Sequence, residues 1–167
     1  MGPSLSSGPS ADSMSKVLIA DRDPQMRAFY SELVRSLGHT PIECQDGIAV
    51  LDAVSAVPDI DLILTDVDLP GAWGEQLIEV VRGIDTLASV PILVVSAPRT
   101  RTELMRLLVK GVRQWFEKTP SRAELVAAIQ SCLEKQAALD LFDVVDLDAP
   151  PIEACATVGT GSWLLEV

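Results

Sequence analysis

The chain has 167 residues, 48% of them hydrophobic and 22% charged, with a net charge of −11. That size fits one domain plus tails, and the hydrophobic share is enough for a sizeable core. The acidic balance argues against direct nucleic-acid binding or an anionic-membrane surface, and no apolar run approaches the roughly 20 residues of a membrane span.

Residues 1–15 are rich in Ser, Gly and Pro and lack the basic-then-apolar pattern of a signal peptide, so they read as a disordered leader. A first strand is predicted over Lys16 to Ala20, which is continuously apolar after the lysine. Asp23-Pro24 then opens a helix: an acid able to cap, with proline at the first helical position. Met26, Phe29, Tyr30, Leu33, Val34 and Leu37 recur at helical spacing along it, and Gly38 ends it. Thr40 to Cys44 reads as a second strand and Asp46-Gly47 as a turn. Ile48, Leu51, Ala53 and Val54 mark a second helix before Pro58.

The third strand is the run Asp61-Leu62-Ile63-Leu64-Thr65, which ends on Asp66-Val67-Asp68-Leu69-Pro70-Gly71. A short apolar run bounded by turn residues reads as a buried parallel strand. Gly74 to Arg82 is a third helix with Leu77, Ile78 and Val81 inward, and Val90 to Ala97 a fourth strand. Thr100 and Glu103 are spaced as a capping box for a fourth helix ending near Gly111. Val112 to Glu117 is a fifth strand. Ser121 and Glu124 form another capping box, and Leu125, Ala128, Ile129, Cys132 and Leu133 share one face of the fifth helix.

Five β-α units in succession imply a parallel sheet with helices on both faces. Residues 16–138 hold this pattern. Residues 139–167 break it, with aspartates alternating with Leu, Val and Phe before Pro150-Pro151, and form an acidic and apolar C-terminal tail predicted to be dispensable for folding. Cys44, Cys132 and Cys155 are scattered without metal-type spacing and read as the reduced cysteines of a cytoplasmic protein.

In open α/β sheets ligands bind outside the carboxyl ends of the strands. Asp21 follows strand one, Asp66 strand three, Ser96 strand four and Lys118 strand five. Their separations are 45, 30 and 22 positions (21 to 66, 66 to 96, 96 to 118). Each residue alone has a plain structural reading: a turn cap, a strand-end hydroxyl, a surface lysine. Together, with Asp-x-Asp-Leu-Pro-Gly after strand three, they resemble the receiver domain of bacterial two-component response regulators over residues 16 to about 138.

The resemblance implies a doubly wound, flavodoxin-like five-stranded parallel sheet of order 2-1-3-4-5. It implies that Asp66 accepts a phosphoryl group from a histidine kinase or phosphotransfer protein, and that Asp21, Asp66 and the backbone carbonyl of Asp68 hold Mg²⁺. The side chain of Asp68 is then left free. Lys118 matches the cation that pairs with the phosphoryl group, Ser96 the switch hydroxyl and Trp115 the switch aromatic. Output then passes to a downstream protein effector through the fourth helix, fifth strand and fifth helix, in signal transduction rather than enzymatic turnover. His39, just past a helix end, reads as a surface loop residue.

Two positions depart from the family pattern. Where the family has a second acid after strand one, this chain has Arg22. A guanidinium held about 4 Å from a dication costs about 8 kcal/mol at an effective dielectric of about 20, less if the side chain swings into water. Arg22 could also fork onto Asp66 in place of the metal, and Asp23 could serve as a substitute acid, though capping explains it better. Secondly, Thr119 stands between Lys118 and Pro120, where the family has proline directly after the lysine. These departures leave a phosphorylation-independent pseudo-receiver as the alternative. A more distant one is a haloacid-dehalogenase-type phosphatase, whose opening motif Asp66-Val67-Asp68 resembles. That motif normally follows the first strand and continues with Thr or Val.

Overall fold

The computed structural model describes residues 14–71 and 74–142, with side chains described as far as Glu134. The expected leader therefore lies almost wholly outside the described residues, as do Cys155 and most of the tail. The five strands are β1 (Lys16–Ala20), β2 (Thr40–Cys44), β3 (Leu62–Thr65), β4 (Ile92–Ser96) and β5 (Gln114–Glu117). The helices are α1 (Pro24–Ser36), α2 (Gly47–Ala56), α3 (Glu75–Arg82), α4 (Arg101–Val109) and α5 (Arg122–Phe142). The strands form one parallel sheet of order β2-β1-β3-β4-β5, as expected.

Successive residues of a strand face opposite sides of the sheet, so its alternate residues feed two cores. Leu18, Ala20, Ile63, Ile92 and Val94 pack with α2, α3 and α4. Val17, Ile19, Leu62, Leu64, Leu93 and Val95 pack with α1 and α5. Both faces are covered, which is why β1, β3 and β4 are nearly all apolar rather than alternating.

The helix starts are chemically explicit. Asp23 accepts from the Gln25 amide at 2.9 Å, with Pro24 next in line. Thr100 with Glu103, and Ser121 with Glu124, close both predicted capping boxes. Gly38, at φ +84, follows the C-terminal cap of α1 in the left-handed region that glycine enters at little cost.

Several predicted bounds shift. Asp46, read as part of a turn, caps α2 by accepting from Ala49 at 2.8 Å. That phase buries Val50 and leaves Ile48 and Leu51 exposed. A short 3₁₀ turn, Asp85–Leu87, precedes β4. Val90 and Val112 are buried but lie outside the strands; the Val112 amide bonds Leu107 of α4 at 3.1 Å. The predicted domain end at 138 falls inside α5, which runs on to Phe142. Near these chain reversals Arg82 donates to the carbonyls of Leu87, Val90 and Gly111 at 2.9, 2.7 and 2.7 Å. Gly111, at φ +93, holds a backbone conformation that favours glycine, with Arg82 Nε 2.8 Å from where a Cβ would stand.

Candidate functional site

Sheet register assembles the site. Ala20 pairs with Thr65, so the next residues, Asp21 and Asp66, emerge side by side. The Asp66 amide donates to the Ala20 carbonyl at 2.8 Å, and the Asp21 amide to Cys44 at 3.2 Å. Ser96 pairs with Glu117, and the following Lys118 amide donates to the Ser96 carbonyl at 2.9 Å. Four strand ends therefore deliver Asp21, Asp66, Ser96 and Lys118 to one edge of the sheet, as the sequence predicted.

Asp21 and Asp66 are 1% and 3% exposed, a burial that carboxylates tolerate only when paired. Lys118 Nζ supplies the counter-charge, 2.7 Å from Asp66 Oδ2 and 2.9 Å from Asp21 Oδ2. Burial works against the lysine's charge, but the hydrogen bonds and charges of Asp66 and Asp21 outweigh it and raise its pKa above the ordinary lysine value. Two carboxylates share one ammonium, so the cluster keeps a net negative charge. The Asp23 amide donates to Asp21 Oδ1 at 2.8 Å, and the Asp68 amide to Asp66 Oδ1 at 3.0 Å. Asp21 Oδ2 receives nothing beyond its ion pair with Lys118. This under-coordinated buried oxygen, beside a second carboxylate, fits a hard cation such as Mg²⁺, which takes one or two carboxylates and keeps several waters.

Ser96 is fully buried, and its hydroxyl donates to the Ala97 carbonyl at 3.0 Å. Trp115 is half-buried against the α2–α4 side of the core, and its Nε1 makes no hydrogen bond. The Lys118–Thr119 peptide is cis. His39 lies in the loop between α1 and β2, partly exposed, with a buried Nδ1 that makes no hydrogen bond.

Two expectations are corrected. Arg22 does not fork onto Asp66. It is exposed and makes no ion pair among the described residues, because Lys118 already bridges the two carboxylates. Nor is the Asp68 side chain free. It forms an ion pair with Arg99 Nη2, a residue the sequence reading passed over. Arg99 Nη1 also lies 3.5 Å from Glu103 Oε1, and Arg99 Nε lies 3.5 Å from Ser96 Oγ. The Asp68 hydrogen bond and the acids around it raise the guanidinium's already high pKa. A cleft of about 420 Å³ opens here, with Arg22, Asp68, Arg99 and Glu103 in its wall.

Residues 17–130 match the family model of the response regulator receiver domain. The chain belongs to the response regulator receiver family. Chemotaxis protein CheY of Pseudomonas aeruginosa is 30% identical over 72% of this chain and 97% of its own length. CheY-3 of Vibrio cholerae is 28% identical over 72% of this chain and 92% of its own. The match to hybrid signal transduction histidine kinase D of Dictyostelium discoideum, at 30% identity, covers 68% of this chain but 7% of that much longer protein. Among solved structures, CheY4 of Vibrio cholerae superposes with a TM-score of 0.67 at 23% identity, covering 72% of this chain and 99% of its own. This receiver is thus a two-component signalling domain with the flavodoxin-like sheet. No helix among its described residues is long and apolar enough to cross a membrane.

Proposed function

We propose that Asp66 of this receiver accepts a phosphoryl group from a partner histidine kinase or phosphotransfer protein and passes the signal on by protein contact. The observation that carries this reading is a carboxylate 3% exposed at the end of β3, with Lys118 2.7 Å away and Asp21 alongside. An Asp66 carboxylate oxygen attacks phosphorus as the bond to the donor's histidine nitrogen breaks, and the nitrogen keeps the electron pair. Such transfer needs placement and neutralised oxygens more than covalent help from the protein. Lys118 neutralises as a point charge. Ser96, buried beside the Lys118 strand end, offers a hydroxyl to the transferred group.

Asp21, Asp66 and the Asp68 carbonyl would hold Mg²⁺, which supplies charge neutralisation to the phosphoryl oxygens when bound. Arg22 stands in water, where solvent screens its charge, so the repulsion estimated for a guanidinium fixed beside the metal is largely relieved. Asp23 is committed to capping α1 through one oxygen.

A second reading, a receiver that binds partners without phosphorylation, is favoured by Arg22 in place of an acid. One experiment separates the two. Wild type and Asp66→Asn are incubated with acetyl phosphate and Mg²⁺ and weighed intact. A gain of one phosphoryl group in wild type alone is the expected result. No gain, where a control receiver is labelled, overturns phosphorylation in favour of the second reading. Steady release of phosphate from small esters would instead favour a phosphatase.

A further inference from the structure

The charge balance at Asp66 leaves a question that Arg99 answers. Before phosphorylation two buried carboxylates share one ammonium. A phosphoryl group on Asp66 adds further negative charge, while the cation the sequence offers at the family's acid position, Arg22, lies out in solvent. Arg27 is held on the Asp21 and Arg22 carbonyls, whereas Arg99, in the wall of the cleft, is held by a part-exposed ion pair that can exchange. Arg99 sits three positions after Ser96, in the loop that leads from β4 to α4, with its side chain 22% exposed. It reaches across the cleft to the Asp68 carboxylate, and the Asp68 amide is itself bonded to Asp66 Oδ1 at 3.0 Å. Arg99 is therefore one residue removed from the acceptor carboxylate, and its Nε already lies beside the Ser96 hydroxyl.

We propose that Arg99 is a second phosphoryl-binding cation of this receiver, parked on Asp68 in the unphosphorylated protein and exchanged onto the phosphoryl oxygens when Asp66 is modified. The inference rests on the phosphoacceptor reading and deepens it. Three features support the exchange. The Asp68 side chain is 42% exposed, so the existing pair is held weakly and water can take over from the guanidinium. A phosphoryl group carries more charge than a carboxylate and presents several oxygens to the planar fork of arginine. The cleft of about 420 Å³ that Arg99 lines leaves it room to move.

The exchange also has a mechanical consequence. Glu103 joins Arg99 through Oε1, while Oε2 accepts from the Thr100 amide and hydroxyl at 2.8 and 2.7 Å. That box starts α4, which buries only Leu107. Moving Arg99 off Asp68 therefore pulls on the first turn of the most lightly packed helix on that face.

Acetyl phosphate serves as the probe. Asp66 forms its bond to phosphorus as the bond to acetate breaks, and acetate leaves with the electron pair. Label gain and loss are followed by intact mass in wild type, Asp68→Asn, Arg99→Ala, Arg99→Lys and the double variant. Freeing the guanidinium in Asp68→Asn should speed labelling about threefold, the size of a surface ion pair. Arg99→Ala should slow it about tenfold, less than the loss of a donor in a dry site. Arg99→Lys should recover part, since it keeps the charge and loses the fork. The double variant should match Arg99→Ala, because Asp68 acts only through Arg99. Thermal melts of each variant exclude loss of fold as the cause. Labelled wild type with Asp68→Asn unchanged, or with the two effects simply adding, overturns the exchange and leaves the phosphoacceptor reading standing. Wild type that takes no label overturns both.

Discussion

Helices α4 and α5 begin the same way and end up held by different forces. Each opens with a hydroxyl and a glutamate three positions on, closed into a reciprocal box. Along α5 the apolar stripe Leu125, Ala128, Ile129, Cys132 and Leu133 is buried against the sheet. Along α4 only Leu107 is buried, while Met105, Leu108 and Val109 are 53%, 46% and 84% exposed. Beside Leu107, charge adds to what ties α4 down: Lys110, just past its end, pairs with Glu75 and Glu79 of α3 at 2.7 and 2.8 Å, and Glu103 reaches Arg99. Identical local signals start a helix, but burial decides how firmly it is kept. A helix held by exchangeable charges can respond to a change at the site; one held by five buried side chains sets the stability of the domain.

The largest effect expected from this contrast is on stability. Leu125 is fully buried, and Leu125→Ala should cost about 2–5 kcal/mol through lost burial and the cavity left behind. Met105→Ala, on the exposed face of α4, should stay within about 0.5 kcal/mol. Urea unfolding with m-values compared checks both. A Met105→Ala loss as large as that of Leu125→Ala would mean that α4 packs against something its exposure does not show.

Much of this was legible because the signals are local. A strand of known end delivers its next residue to a known edge, so Asp21, Asp66, Ser96 and Lys118 could be placed from spacing alone. Capping boxes are equally local, and both were found. The misses share a physical origin. Arg99 meets Asp68 across two loops and 31 positions (68 to 99), and no periodicity records a long-range ion pair. Apolar runs report burial rather than pairing, so Val90 and Val112 look like strand residues in sequence although they only precede the strands. Helix α2 is almost wholly apolar in sequence; the cap at Asp46, not its composition, fixes which side chains turn inward.

A second way to sharpen the contrast is alkaline titration, since the chain's one tyrosine lies on the α1–α5 side. Tyr30 is 2% exposed and its hydroxyl makes no hydrogen bond. Burial first, then the charges of Asp21, Asp66 and Asp23, push its pKa well above 10. Lys118 is raised as well, once the carboxylates have outweighed its burial. In each case the folded pKa exceeds the unfolded one, so the folded state holds its proton more tightly. Their contribution is complete below about pH 10 and falls away as pH climbs through the folded values. Tyrosinate absorbance should therefore rise together with loss of helical signal, as one transition. Smooth ionisation at the ordinary pKa with helix content intact would show that water reaches Tyr30 and that this side is less sealed than α5 implies.

The smallest effect bears most directly on the contrast. Thr100→Ala and Ser121→Ala remove matched caps, and each should cost its helix about 1 kcal/mol. For α5 that cost is coupled to the whole domain, because fraying its first turn uncovers Leu125. Global stability should fall by nearly the full amount. For α4 the first turn, Arg101 to Leu104, holds no fully buried side chain, so it can open while the rest of the domain stays folded. Thr100→Ala should then leave the urea midpoint almost unchanged while amide exchange in that turn quickens about fivefold, the rate equivalent of about 1 kcal/mol. Ser121→Ala should shift the midpoint and quicken exchange throughout. Equal midpoint shifts in the two variants would mean that α4 unfolds with the core. The charges around it would then be supports of the fold rather than a movable attachment.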